Sequence, residues 1–194
     1  MMLSLLVGLL PAEAMAFAGS IYPAKDAGGT VQQIKQQDGS LVLQNDYIRV
    51  TLHQDGKSGG AYLTTSPTEA AGGELTRQTP YCTITTYRYG VESVESMDML
   101  LKQAEYVKKT PQGNAPAIKA TYTLRAGTKV DATVTAYYEL VQLKDDTSGS
   151  GQATWGVLTT VSDVFINNIS SGTLWGDPLF TWGYTLSGFT AMGH

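Results

Sequence analysis

Residues 41–65, LVLQNDYIRVTLHQDGKSGGAYLTT, contain the clearest structural pattern in the chain. Polar and apolar side chains alternate here one by one, with Tyr47, Arg49, Thr51 and His53 on one side and Ile48, Val50 and Leu52 on the other. This alternation is typical of a strand with one buried face, and we expect the apolar set to point inward because burying the charge of Arg49 would be costly. Asn45-Asp46 predicts a kink or turn before the strand, and Asp55-Gly56 predicts a hairpin turn after it.

Composition supports a β-rich globular domain. The 194 residues are 42% hydrophobic and 15% charged, and they include 24 Thr and 11 Tyr, which are residue types that favour strands. Thirteen basic and 17 acidic residues leave a net charge of -4 with no basic patch. The charge therefore argues against nucleic acid or an anionic membrane as a partner, since both require clustered positive charge.

Further strands are predicted at regular intervals. They cover residues 80–89, 91–95, 117–125, 129–143 and 153–166, with turn-forming residues between them. No repeat of 20 to 50 residues is visible, which disfavours a propeller or solenoid. The sequence therefore predicts an all-β fold, a large antiparallel β-sandwich.

Residues 96–109, SMDMLLKQAEYVKK, are the only stretch with helical spacing. Its apolar residues recur at intervals of three and four: Met97, Leu100, Leu101, Ala104 and Val107. We expect at most one short helix, in this range, with a strand through EYVKK as the alternative.

The amino-terminal residues have the features of an export signal. LSLLVGLL at 3–10 is apolar and uncharged, and the small residues after Pro11 offer A-x-A cleavage sites. Eight apolar residues are far fewer than the roughly 20 that span a bilayer as a helix. We predict a signal peptide at 1–18, a leader at 19–40 and the sandwich domain at 41–194.

The stretch after Asp177 is apolar, aromatic and almost uncharged, which predicts that the domain continues beyond His194 as part of a longer chain. A single cysteine, Cys82, excludes an internal disulfide. Exported proteins without disulfides are common in Gram-positive bacteria, so we expect a secreted or cell-surface bacterial protein. We interpret Cys82 as a small buried hydrophobe.

Catalytic motifs are scarce. Only His53 and His194 are histidines, no G-x-S-x-G elbow is present, and no His or Cys spacing fits zinc. We therefore expect no metal and no cofactor. Paired carboxylates remain as an enzymatic route, with candidates at Glu92, Glu95, Asp98, Asp131, Glu139 and Asp163. Among them Glu139 lies deep in the longest predicted strand, where a carboxylate is costly unless paired or functional.

Aromatic residues suggest carbohydrate as a partner, because flat rings with a polar edge stack on sugar faces. If such a site exists, we expect it to use exposed rings among Trp175, Trp182 and Tyr184. Core packing is the alternative for each ring.

The segment 41–65 resembles the opening strands of the galactose-mutarotase-like β-sandwich that precedes the catalytic domain in several families of secreted glycoside hydrolases. The matching residues are Asn45, Tyr47, Ile48, Val50, Leu52, Asp55 and Gly56, and PYCTITTYRYG at 80–90 is similar to the next element. No catalytic residue is carried over from this resemblance, and we expect a non-catalytic, exported β-sandwich module of a larger carbohydrate-active or cell-surface protein. The alternatives are a fragment of a glycoside hydrolase and a structural or adhesive surface domain.

The export signal can be tested directly. Signal peptidase reads small residues before the cut, so the exported protein should begin between Phe17 and Gly19. Amino-terminal sequencing of secreted material checks this, and a secreted chain that retains Met1 would contradict it.

Overall fold

The computed structural model describes residues 21–23, 31–54, 59–67, 76–88, 90–127, 130–143, 154–169 and 179–187. Within these ranges the chain forms eleven β-strands and no helix. The strands are β1 (Ile21–Pro23), β2 (Gln32–Lys35), β3 (Leu41–Gln44), β4 (Ile48–Gln54), β5 (Ala61–Pro67), β6 (Thr76–Arg88), β7 (Val91–Val107), β8 (Ala117–Ala126), β9 (Val130–Leu143), β10 (Thr154–Ile169) and β11 (Leu179–Ser187). The described residues contain no helix that is long and apolar enough to cross a membrane.

All strand pairs are antiparallel, and the strands follow the order β1-β9-β8-β7-β6-β5-β4-β3-β2, with β10 beside β9 and β11 beside β6. Strand β7 belongs to both halves of this order. Its first part pairs with β6 from Val91 to Met97, and its second part pairs with β8 from Asp98 to Val107. We call the half that contains β8, β9 and β10 sheet A, and the half that contains β2 to β6 and β11 sheet B.

The decisive stretch folds as its alternation predicts. Asn45 turns the chain between β3 and β4, because its side-chain oxygen accepts hydrogen bonds from the backbone N–H groups of Tyr47 and Ile48, each at 2.9 Å. Val50 and Leu52 are fully buried, and Ile48 is half-buried. The expected turn at Asp55-Gly56 lies outside the described residues.

The core lies between the inner faces of the two sheets. On β9 every even-numbered residue from Val130 to Leu140 is buried, and on β8 every even-numbered residue from Ile118 to Ala126 is buried. Sheet B faces them with Leu41, Leu43, Val50, Leu52, Leu63, Cys82, Ile84 and Phe180. The structure is therefore an antiparallel β-sandwich, as the strand pattern predicts.

The helix considered for residues 96–109 is wrong, because residues 96–107 of this range lie in β7. A bulge explains the misleading spacing. Leu101 pairs with Tyr122 and Gln103 with Thr121, so Lys102 is an extra residue that shifts the alternation by one. The inward positions before and after the bulge are therefore three residues apart, Leu101 and Ala104, which imitates a helical interval.

Two further findings extend the sequence analysis. Residues assigned to a leader, within 19–40, contribute β1 and β2 to the sheet, whereas residues 1–20 lie outside the described part. Thr51, expected on the solvent side, lies on the face opposite Val50 but is nevertheless buried, at 5% exposure. Its neighbours on that face include Val42 and Thr64, which are buried as well.

Tyr106 on β7 connects the two sheets through its hydroxyl group. The oxygen accepts a hydrogen bond from the Val42 N–H at 2.8 Å, and the hydroxyl donates to the Ile34 carbonyl at 2.7 Å, with the Val42 carbonyl 3.0 Å away. A residue of sheet A thus bonds to the backbone of β2 and β3 in sheet B. Burial raises the pKa of Tyr106, and its hydrogen bonds to Val42 and Ile34 act in the opposite direction.

Replacing Tyr106 by Phe should lower the free energy of unfolding by about 1–3 kcal/mol, because the Val42 N–H and the Ile34 carbonyl lose a partner in a partly buried place. Urea denaturation measures this change. Tyr47→Phe is the matched control, since Tyr47 is largely exposed, and it should change stability by less than about 0.5 kcal/mol. Equal effects of the two substitutions would contradict the assigned role.

Candidate functional site

The aromatic residues predicted to bind sugar have different surroundings. Trp175 lies outside the described residues. Trp182 and Tyr184 alternate on the inner side of β11, where both are half-buried against the core. The Trp182 ring meets Tyr122 of sheet A edge to face, with centroids 5.6 Å apart. The Trp182 ring therefore connects β11 of sheet B with sheet A. A role of Trp182 and Tyr184 in glycan binding stays a prediction.

Polar groups accompany these rings inside the sandwich. The hydroxyl oxygens of Tyr122 and Tyr138 lie 2.8 Å apart, and Tyr184 donates its hydroxyl to Thr159 Oγ1 at 3.0 Å. Burial raises the pKa values of Tyr122, Tyr138 and Tyr184. The hydrogen bond from Tyr184 to Thr159 acts against the effect of burial on the pKa of Tyr184, and the Trp182 N–H is buried without a hydrogen-bond partner among the described residues. These hydroxyls are therefore protonated structural groups.

The outer face of sheet B, which points away from the core, carries the exposed ring of Tyr81. Cys82 and Ile84 point inward from β6, so Tyr81, Thr83 and Thr85 point outward. Tyr81 pairs with Gly183 of β11. A Cβ atom at position 183 would lie 2.5 Å from the Tyr81 hydroxyl oxygen and from Cζ, so the ring extends across from β6 and covers the glycine.

Tyr81 is 45% exposed although its phenol end rests on the sheet. Four threonines surround it in register, two on its own strand and two beside its glycine partner: Thr79, Thr83, Thr181 and Thr185. Thr79, Thr181 and Thr185 are exposed, and Thr83 is half-buried. We call this group of Tyr81, Gly183 and the four threonines the Tyr81 platform. It combines an accessible aromatic surface with neighbouring uncharged hydroxyl groups.

The sequence analysis missed Tyr81, although a signal for it was present. In PYCTITTYR the inward positions follow from Cys82 and Ile84, and this places Tyr81 on the outward face. The number of aromatic residues does not tell which rings point outward and which point inward. The sequence also does not show that Gly183, about 100 positions later, lies beside Tyr81, because strand pairing between distant segments is not visible in local patterns.

A second feature lies on the outer face of sheet A, around Glu139. This residue is on the odd-numbered face of β9, yet it is only 2% exposed. It lines a cavity of about 270 Å³ together with Val141, Leu158 and the turn between β7 and β8. That turn is closed by two backbone hydrogen bonds between Thr110 and Gly113.

The carboxyl group of Glu139 is incompletely satisfied. The Thr110 hydroxyl hydrogen-bonds to it, whereas Oε1 is buried and has no hydrogen-bond partner among the described residues. Burial raises the pKa of Glu139 above its ordinary value of 4.5, and the hydrogen bond with Thr110 offsets this in part. A buried acid with a perturbed pKa at a cavity is a candidate functional group.

The structure does not gather the other candidate acids around Glu139. Glu139 is the only acidic residue among the described residues that line the cavity. Asp131 lies at the far end of β9 beside Arg125, with 4.0 Å between Oδ2 and Nε, and Glu92, Asp98 and Asp163 are exposed. Glu95 is half-buried on β7. No group of three or more His, Cys, Asp or Glu residues in the described part of the chain is arranged to hold a metal ion.

The surroundings of His53 and Cys82 are those of structural residues. His53 Nε2 lies 2.8 Å from Thr64 Oγ1, and the imidazole stacks on Tyr62 with centroids 4.6 Å apart. The Arg77 guanidinium lies 3.8 Å from the centre of the same tyrosine ring. Cys82 is buried, and desolvation raises its pKa to about 11, so the protonated thiol predominates at neutral pH.

No protein-family model, curated protein sequence or solved structure matches the chain.

The burial of Glu139 predicts a pH dependence of stability. Since its pKa is higher in the folded than in the unfolded protein, the folded state binds more protons between the two values, and stability falls as the pH rises through that window. Glu139→Gln removes this dependence. The variant should therefore be more stable than the wild type at neutral pH, and the difference should shrink as the pH falls toward about 4.

Urea unfolding of both proteins at several pH values between about 4 and 8 measures this effect. Glu92→Gln is the control, because Glu92 is exposed on β7 and its replacement should change stability by less than about 0.5 kcal/mol. A pH-independent difference between Glu139→Gln and wild type would show that the carboxyl group does not titrate as its burial requires.

Proposed function

We propose that the chain is a non-catalytic β-sandwich module that binds a neutral glycan on the outer face of sheet B. We further propose that it belongs to an exported, larger carbohydrate-active or cell-surface protein, as the resemblance of residues 41–65 to galactose-mutarotase-like sandwiches implies. The observation that carries the binding proposal is the exposed Tyr81 ring lying across Gly183.

The Tyr81 platform suits a sugar for physical reasons. An accessible aromatic ring stacks on the C–H face of a sugar ring. The Tyr81 ring loses little conformational entropy on binding, because its contact with the sheet already restricts its conformation. The neighbouring threonines offer hydroxyl groups that both donate and accept hydrogen bonds. These groups can meet sugar hydroxyls in either orientation.

The platform also indicates which class of glycan fits. All four threonines around Tyr81 are uncharged, so they provide no positive group to pair with a uronate or sulfate. Thr79 and Thr83 are four residues apart on one strand, a distance of roughly 13–14 Å. This span exceeds one sugar ring, which favours a neutral oligosaccharide or polysaccharide chain over a monosaccharide.

A glycoside hydrolase fragment is the second candidate, and the buried Glu139 favours it. Glycoside cleavage uses two carboxyl groups on either side of the bond, and the described lining of the cavity supplies one. The enzyme hypothesis thus requires a second acid from elsewhere. It predicts turnover that Glu139→Gln abolishes while leaving the fold intact, whereas the binding module predicts no turnover.

Removing the Tyr81 ring should weaken glycan binding by about tenfold or more, corresponding to about 1.4 kcal/mol. A glycan array with the exported chain first identifies the ligand, and titration calorimetry then compares variants. The ring-deficient protein is best made as Tyr81→Ala with Gly183→Ala. The second change replaces a glycine in a strand interior, which favours the strand, and its methyl group no longer meets the ring.

Two further variants separate stacking from folding. Gly183→Ala alone retains the ring but forces it away from the sheet, so binding should fall although Tyr81 remains. Tyr87→Ala removes an exposed ring farther along β6 and should leave affinity unchanged. Circular dichroism verifies the fold of each protein. Undiminished binding by the folded double variant would remove Tyr81 from the site.

A further inference from the structure

The cavity beside Glu139 has the chemistry of a second binding site, separate from the Tyr81 platform. It lies on the outer face of sheet A, whereas the platform lies on the outer face of sheet B. Glu139 is central in three strands, because Ala117 of β8 and Leu158 of β10 are its cross-strand partners. Ala117 contributes only a methyl group, which leaves room beside the carboxyl group.

The hydrogen-bonding capacity of the Glu139 carboxyl group is only partly used. The Thr110 hydroxyl already bonds to the carboxyl group, and Oε1 has no hydrogen-bond partner among the described residues. Leaving such an atom buried is costly unless a donor reaches it, because the lost hydration is not replaced. The Glu139 side chain lines the cavity, so a donor that enters the cavity comes next to this carboxyl group.

The described walls of the cavity are partly apolar. Val141 and Leu158 supply aliphatic surface, and the amide side chains of Gln112 and Asn114 lie on its exposed side in the turn between β7 and β8. No basic residue belongs to the described lining. The described lining of the cavity thus combines a carboxyl group, aliphatic side chains and neutral polar groups.

We propose that this cavity binds a primary alkylammonium group, with its nitrogen on the Glu139 carboxylate and its methylene stem against Val141 and Leu158. An ammonium is a compact point charge that a single carboxylate oxygen can accept, whereas a guanidinium pairs best with two oxygens at once. A calcium ion takes six to eight oxygen ligands and usually several carboxylates, and the described lining offers one. The aliphatic sides further favour a ligand with a carbon stem.

Other charged groups on neighbouring elements do not occupy this position. Lys119 on β8 pairs with Glu105 at 3.8 Å, and both side chains are partly exposed. Lys108 and Lys109, which precede the turn, are exposed. The described residues of β10 that share the face of Leu158 are Gly156, Thr160 and Ser162, which are uncharged. Glu139 is therefore the charged group that a ligand entering the cavity would meet.

The test uses the full chain and n-butylammonium chloride as the probe, with n-butanol as its neutral counterpart. Wild-type protein should bind n-butylammonium saturably in an NMR titration and should bind n-butanol at least tenfold more weakly. Glu139→Gln keeps the shape of the side chain and should lose at least tenfold in affinity for the amine. Glu105→Gln removes an exposed acid on β7 and should change affinity by less than about twofold.

Two further measurements make the result specific. Affinity of the wild type should increase as the pH rises through the titration of Glu139, since only the ionised form pairs with the cation. Nα-acetyl-lysine methylamide tests whether the natural group is a lysine side chain, and putrescine tests a free amine. Preferential binding of either compound supports the cavity site and shows whether its natural ligand is a lysine side chain or a free amine.

Equal binding of n-butylammonium and n-butanol, or no saturable binding of the amine, would overturn the proposal without reference to any variant. Equal amine affinity of wild type and folded Glu139→Gln would overturn it as well. The Tyr81→Ala, Gly183→Ala double variant should bind the amine like wild type, because its changes lie on the other sheet. The proposal of an amine site at Glu139 can therefore be tested even if the glycan proposal fails.

Discussion

Strand β7 imposes the main constraint on the structure, because one continuous backbone supplies an edge to each of two facing sheets. Its first seven residues, Val91 to Met97, pair with β6, and the rest pair with β8. Neither sheet can shift its register without moving the other through this strand. The hydroxyl of Tyr106 adds a second connection, since it bonds from β7 to the backbone of β2 and β3. Burial of the two inner faces then follows from this fixed geometry.

The packing of the interior determines which aromatic residues remain accessible. Trp182 and Tyr184 lie on the inner side of β11, where they contact Tyr122, Thr159 and each other across the sandwich. Tyr81 lies on the outer side of the adjacent strand, and its glycine partner allows the ring to lie across the sheet. Aromatic residues close together on two neighbouring strands therefore lie on opposite faces of sheet B, and the pleat of the sheet decides which face each one takes.

Glu139 is buried on the outer, odd-numbered face of β9, as are Thr135 and Val141, whereas Thr133 and Tyr137 on that face are half-buried. The turn between β7 and β8 and the aliphatic residues Val141 and Leu158 line the cavity beside its carboxyl group. Burial of a carboxyl oxygen without a partner lowers stability, and residues that do so in folded proteins are often functional. The cost in stability and the proposed binding role thus belong to the same carboxyl group.

The sequence by itself determined the all-β class, most strand positions and the inward direction of Val50 and Leu52, because a half-buried strand must alternate at period two. It also marked Glu139 as a carboxylate with an unusual position. Only the tertiary structure decided that residues 96–107 are a bulged strand, since the extra residue Lys102 breaks the local pattern and becomes visible only in the pairing with β8. It alone placed Gly183 beside Tyr81 and enclosed Glu139 beneath a turn from another hairpin. Those contacts join residues far apart in the chain, and local periodicity carries no information about which distant strands pair.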